Sequence, residues 1–229
     1  MAIVWTEDKD GATHNLANDG IWGCVYKAHT QIVETPVNIN ANGSGNQNHP
    51  KIFQKWHSIY NLVLWRGFDS IPGGIMGRKM MYDLGSSSLP GFDLSATVNI
   101  QEFYVADVDK NSGLVALAYK STNNEEGEGM GSAVIAKVFT SQIQVYCSET
   151  VVNTYTLDDQ VPLDLKLIDG EKFVVIYSSN NHPTDAKIGI FAQILQCNDS
   201  SAPDMNRIGI ETQITQDVFE PTISGNYSL

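Results

Sequence analysis

The chain is short of cysteine and of basic side chains. Its three cysteines, Cys24, Cys147 and Cys197, lie far apart with no Cys-x-x-Cys pair, and its five histidines (His14, His29, His49, His57, His182) are not spaced as metal ligands. A zinc centre of clustered ligands is therefore excluded. At most one disulfide can form. Two of the cysteines fall in expected strands, so all three read first as small buried hydrophobes. Only 14 Lys and Arg stand against 26 Asp and Glu, a formal charge of −12. Without a basic footprint, neither nucleic acid nor an anionic membrane surface is an expected partner. No apolar run has the length of a membrane-spanning helix, no signal peptide precedes the first strand, and no window sustains the i, i+3, i+4, i+7 spacing of an amphipathic helix. Also missing are a Gly-x-Ser-x-Gly elbow, a glycine-rich phosphate loop, a His-Glu-x-x-His pair and any pairing of a nucleophile with a histidine.

What the chain does have is one pattern, four times. An aromatic residue closes a short apolar run at Val4-Trp5, Val63-Leu64-Trp65, Leu117-Ala118-Tyr119 and Val175-Ile176-Tyr177, at spacings of 60, 54 and 58 residues. After Tyr177, 52 residues remain and Trp5 is the fifth, so the step through joined ends is 57. A second apolar run holding a small residue follows each aromatic: Ile21-Trp22-Gly23, Ile75-Met76-Gly77, Val134-Ile135-Ala136 and Ile190-Phe191-Ala192. A third reads Glu34 to Asn38, Ser95 to Asn99, Glu149 to Asn153 and Glu211 to Thr215. A fourth begins at Pro50, Pro162 and Pro221, with Glu102-Phe103-Tyr104-Val105 in the remaining copy.

Short runs rich in Val, Ile, Thr and aromatics, bounded by Gly, Asn, Asp, Ser or Pro, are strands, and a fixed period of this order marks a repeat architecture. The expected fold is all-β, a β-propeller of four four-stranded blades in which the N-terminal strand, Ala2 to Trp5, closes the last blade beside the segment around Pro221. One domain spans 1–229, with repeats at approximately 50–101, 102–160, 161–217, and 218–229 plus 1–49. The competing architecture is an open or strand-exchanged assembly in which neighbouring molecules share the split blade.

The assembled pattern of proline-led strand, apolar run ending in Trp, Gly-Ile strand and Glu-x-x-Val-Asn resembles tandem repeats of very large secreted or surface proteins, such as bacterial RTX-type adhesins and related protist proteins. Tyr119 and Tyr177 depart from its Trp, Ser95 from its Glu and Thr215 from its Asn. The resemblance implies a propeller-like fold in an extracellular or cell-surface setting, as part of a larger protein; the strand-tight start at Met1 agrees with a cut domain. It carries over no catalytic residue.

Antiparallel strands send the loops after the aromatic strands and those after the Val-Asn strands to one end, and these are the most polar segments of the chain. Binding residues concentrate on such loops. The candidate ligand-binding residues are Trp22, Asn46, Asn48, Asp8, Asp10, Asp69, Asn180 and Asn181. Trp22 is included because it interrupts the repeat pattern, whereas Trp5, Trp65, Tyr119 and Tyr177 read as core filler. Asp107, Asp109 and Asn111 place oxygens at alternate positions like the start of a calcium loop, but Ser112 stands where the tight-turn glycine belongs and no glutamate follows at the twelfth position. A hairpin turn is the stronger reading, and calcium is the one cofactor left open. The expected function is non-catalytic recognition or adhesion, binding glycan or protein, as a monomer or head-to-tail homo-oligomer without membrane insertion. A structural filament unit is the alternative, and a hydrolase using paired carboxylates comes third.

Overall fold

The computed structural model describes residues 1–7, 20–40, 47–56, 60–67, 74–81, 83–84, 91–94, 101–122, 131–155, 158–169, 171–180, 189–198 and 205–216. Among these there is no helix. The strands are β1 (Ala2–Glu7), β2 (Gly20–Lys27), β3 (Ile32–Val33), β4 (Val37–Asn38), β5 (Asn48–Trp56), β6 (Tyr60–Gly67), β7 (Gly74–Met81), β8 (Phe92–Asp93), β9 (Gln101–Val108), β10 (Val115–Ser121), β11 (Ala133–Phe139), β12 (Val145–Val151), β13 (Gln160–Asp169), β14 (Lys172–Ser179), β15 (Gly189–Cys197) and β16 (Met205–Gln216). They form four four-stranded sheets, and the strands whose residues are in register pair antiparallel. Three are meanders, β5 to β8, β9 to β12 and β13 to β16; in the first sheet β1, β3 and β4 all pair with β2.

One register recurs in all four sheets. The residue before the marker aromatic faces the small residue of the next strand: Val4 opposite Gly23, Leu64 opposite Gly77, Ala118 opposite Ala136 and Ile176 opposite Ala192. The aromatics themselves then face Trp22, Met76, Ile135 and Phe191. Trp65, Tyr119 and Tyr177 are fully buried, as core filler should be, whereas Trp5 is only half-buried. At Gly77 an added Cβ would collide with the Phe92 ring, and at Gly23 it would meet Ile39 Cδ1 at 2.8 Å and the Ile3 carbonyl at 3.1 Å. These positions are small because a neighbouring chain or ring lies on them.

The chain divides into two compact units, 1–101 and 102–229. In the first, Ala2, Ile21 and Ile39 from the β1–β4 sheet pack with Val63, Trp65, Met76 and Met80 from the β5–β8 sheet. Polar links cross the same seam. Gln54 takes the Ala2 N–H on Oε1 at 3.2 Å and donates from Nε2 to the Ala2 carbonyl at 3.0 Å, while Arg78 Nη1 donates to the Ile39 carbonyl. In the second unit, Ala116, Ala118, Val134, Ala136 and Val138 face Leu165, Phe173, Val175, Tyr177 and Leu195. Lys166 Nζ reaches Asp107 Oδ2 at 3.0 Å across that seam.

Four sequence expectations change. Pro50 and Pro162 stand third in β5 and β13, not first; each lies at a register irregularity on an edge strand, where the missing N–H is tolerated. The strand that pairs with β7 is Phe92–Asp93, and Ser95 to Asn99 lie outside the described residues. In the first copy the equivalent of Asn153 is Asn40, not Asn38: the Ile21 N–H donates to Asn40 Oδ1 at 2.7 Å, and the Val134 N–H to Asn153 Oδ1 at 2.8 Å. Both asparagines sit 19 residues after their donor. Finally, Cys147 and Cys197 are not separate hydrophobes but a disulfide between β12 and β15, with Cα atoms 5.9 Å apart, while Cys24 is free and buried. The expected pairing of β1 with the segment around Pro221 lies outside the described residues.

Because Asn153 satisfies a fully buried backbone N–H, Asn153→Ala is expected to cost about 1–3 kcal/mol, read as a lower urea midpoint with unchanged slope. An unchanged midpoint would show that the bond contributes nothing.

Candidate functional site

Polar side chains gather where the aromatic strands of the second unit finish. β10 ends in Lys120 and Ser121, β11 starts after Ser132, and β14 ends in Ser179 followed by Asn180. The segment from Asp158 to Gln160 crosses these ends. Its Asp158 carbonyl accepts the Ser132 N–H at 3.1 Å, and its Asp159 carbonyl accepts the Asn180 N–H at 3.0 Å. Asp158 has a positive φ of 63°, a left-handed conformation uncommon for a residue other than glycine. It also bridges to Gly131, where an added Cβ would run into the Asp158 carbonyl.

Charge and hydroxyls converge below this segment. Asp159 Oδ1 accepts from Ser132 Oγ at 3.1 Å and lies 3.4 Å from Lys120 Nζ. The lysine side chain is only 9% exposed, the aspartate 57%. Gln160 is fully buried; its N–H donates to Ser132 Oγ at 3.0 Å, and its Nε2 lies 3.5 Å from Ser179 Oγ. In the first unit a second fully buried glutamine, Gln47, stands just before β5, with Asn48 opposite Arg66. Asn48 Oδ1 and His49 Nδ1 are 2.8 Å apart. Sequence reading missed these glutamines, although the signal was there: a glutamine precedes Trp65 by 18, Tyr119 by 18 and Tyr177 by 17 residues (Gln47, Gln101, Gln160).

Of the candidate ligand residues, Asn180 follows the end of β14 in the second unit and Asn48 starts β5 in the first. Trp22 is elsewhere: it lies half-buried inside β2, across from Trp5, in the register that Met76, Ile135 and Phe191 occupy in the other sheets. It continues the repeat rather than interrupting it. Asp8, Asp10, Asn46, Asp69 and Asn181 lie outside the described residues.

The calcium candidates are engaged in other ways. Asp107 Oδ2 takes the Leu167 N–H at 3.0 Å in addition to Lys166. Asp109 closes the β9–β10 hairpin: its carboxylate accepts the Asn111 N–H at 2.9 Å and the Ser112 hydroxyl at 2.6 Å, and its carbonyl takes the Gly113 N–H at 2.7 Å. Asn111 sits exposed in that turn. Among the described residues no three His, Cys, Asp or Glu side chains are grouped to hold a metal ion.

Partial burial opposes ionisation of Asp109, but the hydrogen bonds from the Ser112 hydroxyl and the Asn111 and Ser112 amides outweigh it and hold its carboxyl below the usual aspartate value. A lowered folded pKa means stability that is present above the unfolded value of about 3.9 and lost as pH falls through the folded one. Asp109→Ala is thus expected to lose about 1 kcal/mol near neutrality, the turn being largely solvated. The gap from the parent protein should close below about pH 4, as checked by thermal melts across pH. Gly131→Ala must push the Asp158 backbone aside and is expected to cost about 1–3 kcal/mol while disordering Asp159 in a crystal structure.

No protein-family model matches the chain, and no curated protein sequence matches it. Among solved structures, one described as "Crystal structure of a thermostable family-43 glycoside hydrolase" is similar at 10% sequence identity and a TM-score of 0.45, covering 100% of this chain and 97% of that one. Similarity at that level carries no argument about this chain.

Proposed function

We propose that the chain is a non-catalytic recognition module of a surface or secreted protein, a four-bladed ring that presents one loop-rich end to glycan or protein. The observation that carries this reading is the register shared by the four sheets, which brings the loop after every aromatic strand to the same end of its sheet. Rigid elements that repeatedly deliver variable polar loops to one end make a display scaffold. In this reading the segment around Pro221 supplies the outer neighbour of β1, as β5 does for β6 and β13 for β14. Recognition rather than hydrolysis is favoured by the way the carboxylates are used. Asp159 is held by Lys120 and Ser132, Glu149 Oε1 takes the Tyr119 hydroxyl at 2.8 Å with Lys137 Nζ at 3.4 Å, and Asp107 is tied to Lys166. Each is already paired with a side chain of the fold, Asp159 at the surface and Glu149 and Asp107 partly buried, rather than paired with a second carboxylate.

Glycan-array and surface-display screening of the whole chain is expected to yield a ligand whose affinity falls about fivefold or more in Asn180→Ala, with an unchanged melting temperature. Turnover of aryl glycosides that disappears on neutralising a single carboxylate would overturn the non-catalytic reading. Light scattering is expected to give the mass of a monomer, whereas a concentration-dependent ladder would show the split sheet shared between molecules.

A further inference from the structure

Within the second unit, the β9–β12 and β13–β16 sheets share no backbone ladder among the described residues. Away from the apolar core, side-chain hydrogen bonds cross their seam on the β12 side. Thr150 Oγ1 donates to the Met205 carbonyl at 3.4 Å, Arg207 Nη1 donates to the Asn153 carbonyl at 3.1 Å, and Thr154 bonds the Glu211 carboxylate. Bonds of this kind contribute little individually. One link on that side is covalent: Cys147 in edge strand β12 to Cys197 at the end of β15.

We propose that the Cys147–Cys197 disulfide is a redox latch on this seam, whose reduction loosens β12 and, through it, the Asp158–Gln160 segment at the loop end. Three features place the control there. Cys147 pairs with Val138 between two register irregularities, one on each side, so the ladder that holds β12 to β11 is interrupted where the sulfur sits. The bond spans a sequence separation of 50 residues, enough to restrict the unfolded chain strongly. The chain leads from β12 directly through Asn153, which anchors β11, to Asp158, Asp159 and Gln160.

The chemistry is thiol–disulfide exchange with a dithiol. One thiolate of the reductant attacks Cys147 or Cys197 sulfur, the S–S bond breaks, and a mixed disulfide forms; the second thiol resolves it. The reductant leaves as its own disulfide, and two electrons and two protons stay on the cysteines. Both sulfurs are buried, at 0% and 1% residue exposure, so the reagent waits on opening of the seam. Once reduced, the thiols still fill the core as small hydrophobes, and the strand is freed without a cavity. An oxidising compartment keeps the latch shut and a thiol-rich one opens it. The inference stands whether or not the loop end binds a ligand.

Two measurements on the whole chain decide it. Alkylation of the denatured, unreduced protein followed by intact mass is expected to show one modified cysteine, Cys24, rising to three after dithiol treatment; three without reductant would overturn the proposal. In hydrogen exchange, reduction is expected to speed the amides of 145–160 roughly tenfold or more while those of β6 and β7 keep their rates. Equal acceleration in both units, or none, would overturn it. The Cys147→Ala, Cys197→Ala double variant should show the reduced pattern and ignore dithiol; if it fails to fold, dithiol titration of the parent protein gives the same comparison.

Discussion

The close approach of a neighbouring side chain or ring to the small residue opposite the aromatic strand, seen at Gly23 and Gly77, is the constraint from which the rest follows. With Gly, Gly, Ala and Ala at these four places, a bulky neighbour can lie flat on the sheet, as the Phe92 ring does on Gly77 and the Ile39 and Leu84 side chains do on Gly23. That contact fixes which face of the next strand turns inward, because a slip of one residue would turn every side chain to the other face. The marker aromatic, one position along, is then buried at Trp65, Tyr119 and Tyr177 and half-buried at Trp5, and its strand has to end in the polar loop that follows.

Strand type, repeat number and the position of the aromatic were legible because they are written in local alternation and in spacing. Trp65, Tyr119 and Tyr177 lie buried as their place at the end of apolar runs indicates. The third strand was harder. Val37-Asn38-Ile39-Asn40 offers two Val/Ile-Asn pairs, and composition cannot choose between them; the spacing of 19 residues to Ile21 could have, since Val134 and Asn153 keep the same interval. In the second copy β8 is only two residues long, too short for any alternation to show.

The site was less legible than the fold. Asn180 and Asn48 came from loop polarity and do lie at strand ends. Lys120, Ser132, Asp159 and Gln160 did not stand out, because each looks like an ordinary strand-end residue until the Asp158–Gln160 segment is laid across β11. The disulfide was hidden for a related reason: its partners sit in different sheets, and pairing across a seam leaves no trace in local pattern. Asp107 shows the converse, a residue that looks like a metal ligand in sequence and is a bolt between two sheets in space.

Gln54 has a bearing on how such a protein avoids sticking to itself. The Met1 backbone bonds to Tyr26 in β2, so the alternation of an antiparallel strand turns the Ala2 N–H and C=O outward, where the Gln54 amide occupies both. A side-chain amide imitates one peptide unit of an arriving strand and then stops. Any chain seeking to lengthen that sheet by edge-on addition meets a border already sealed at its first rung and has to take its alignment from Val4 onward, which guards against indiscriminate self-association while leaving room for one properly aligned guest.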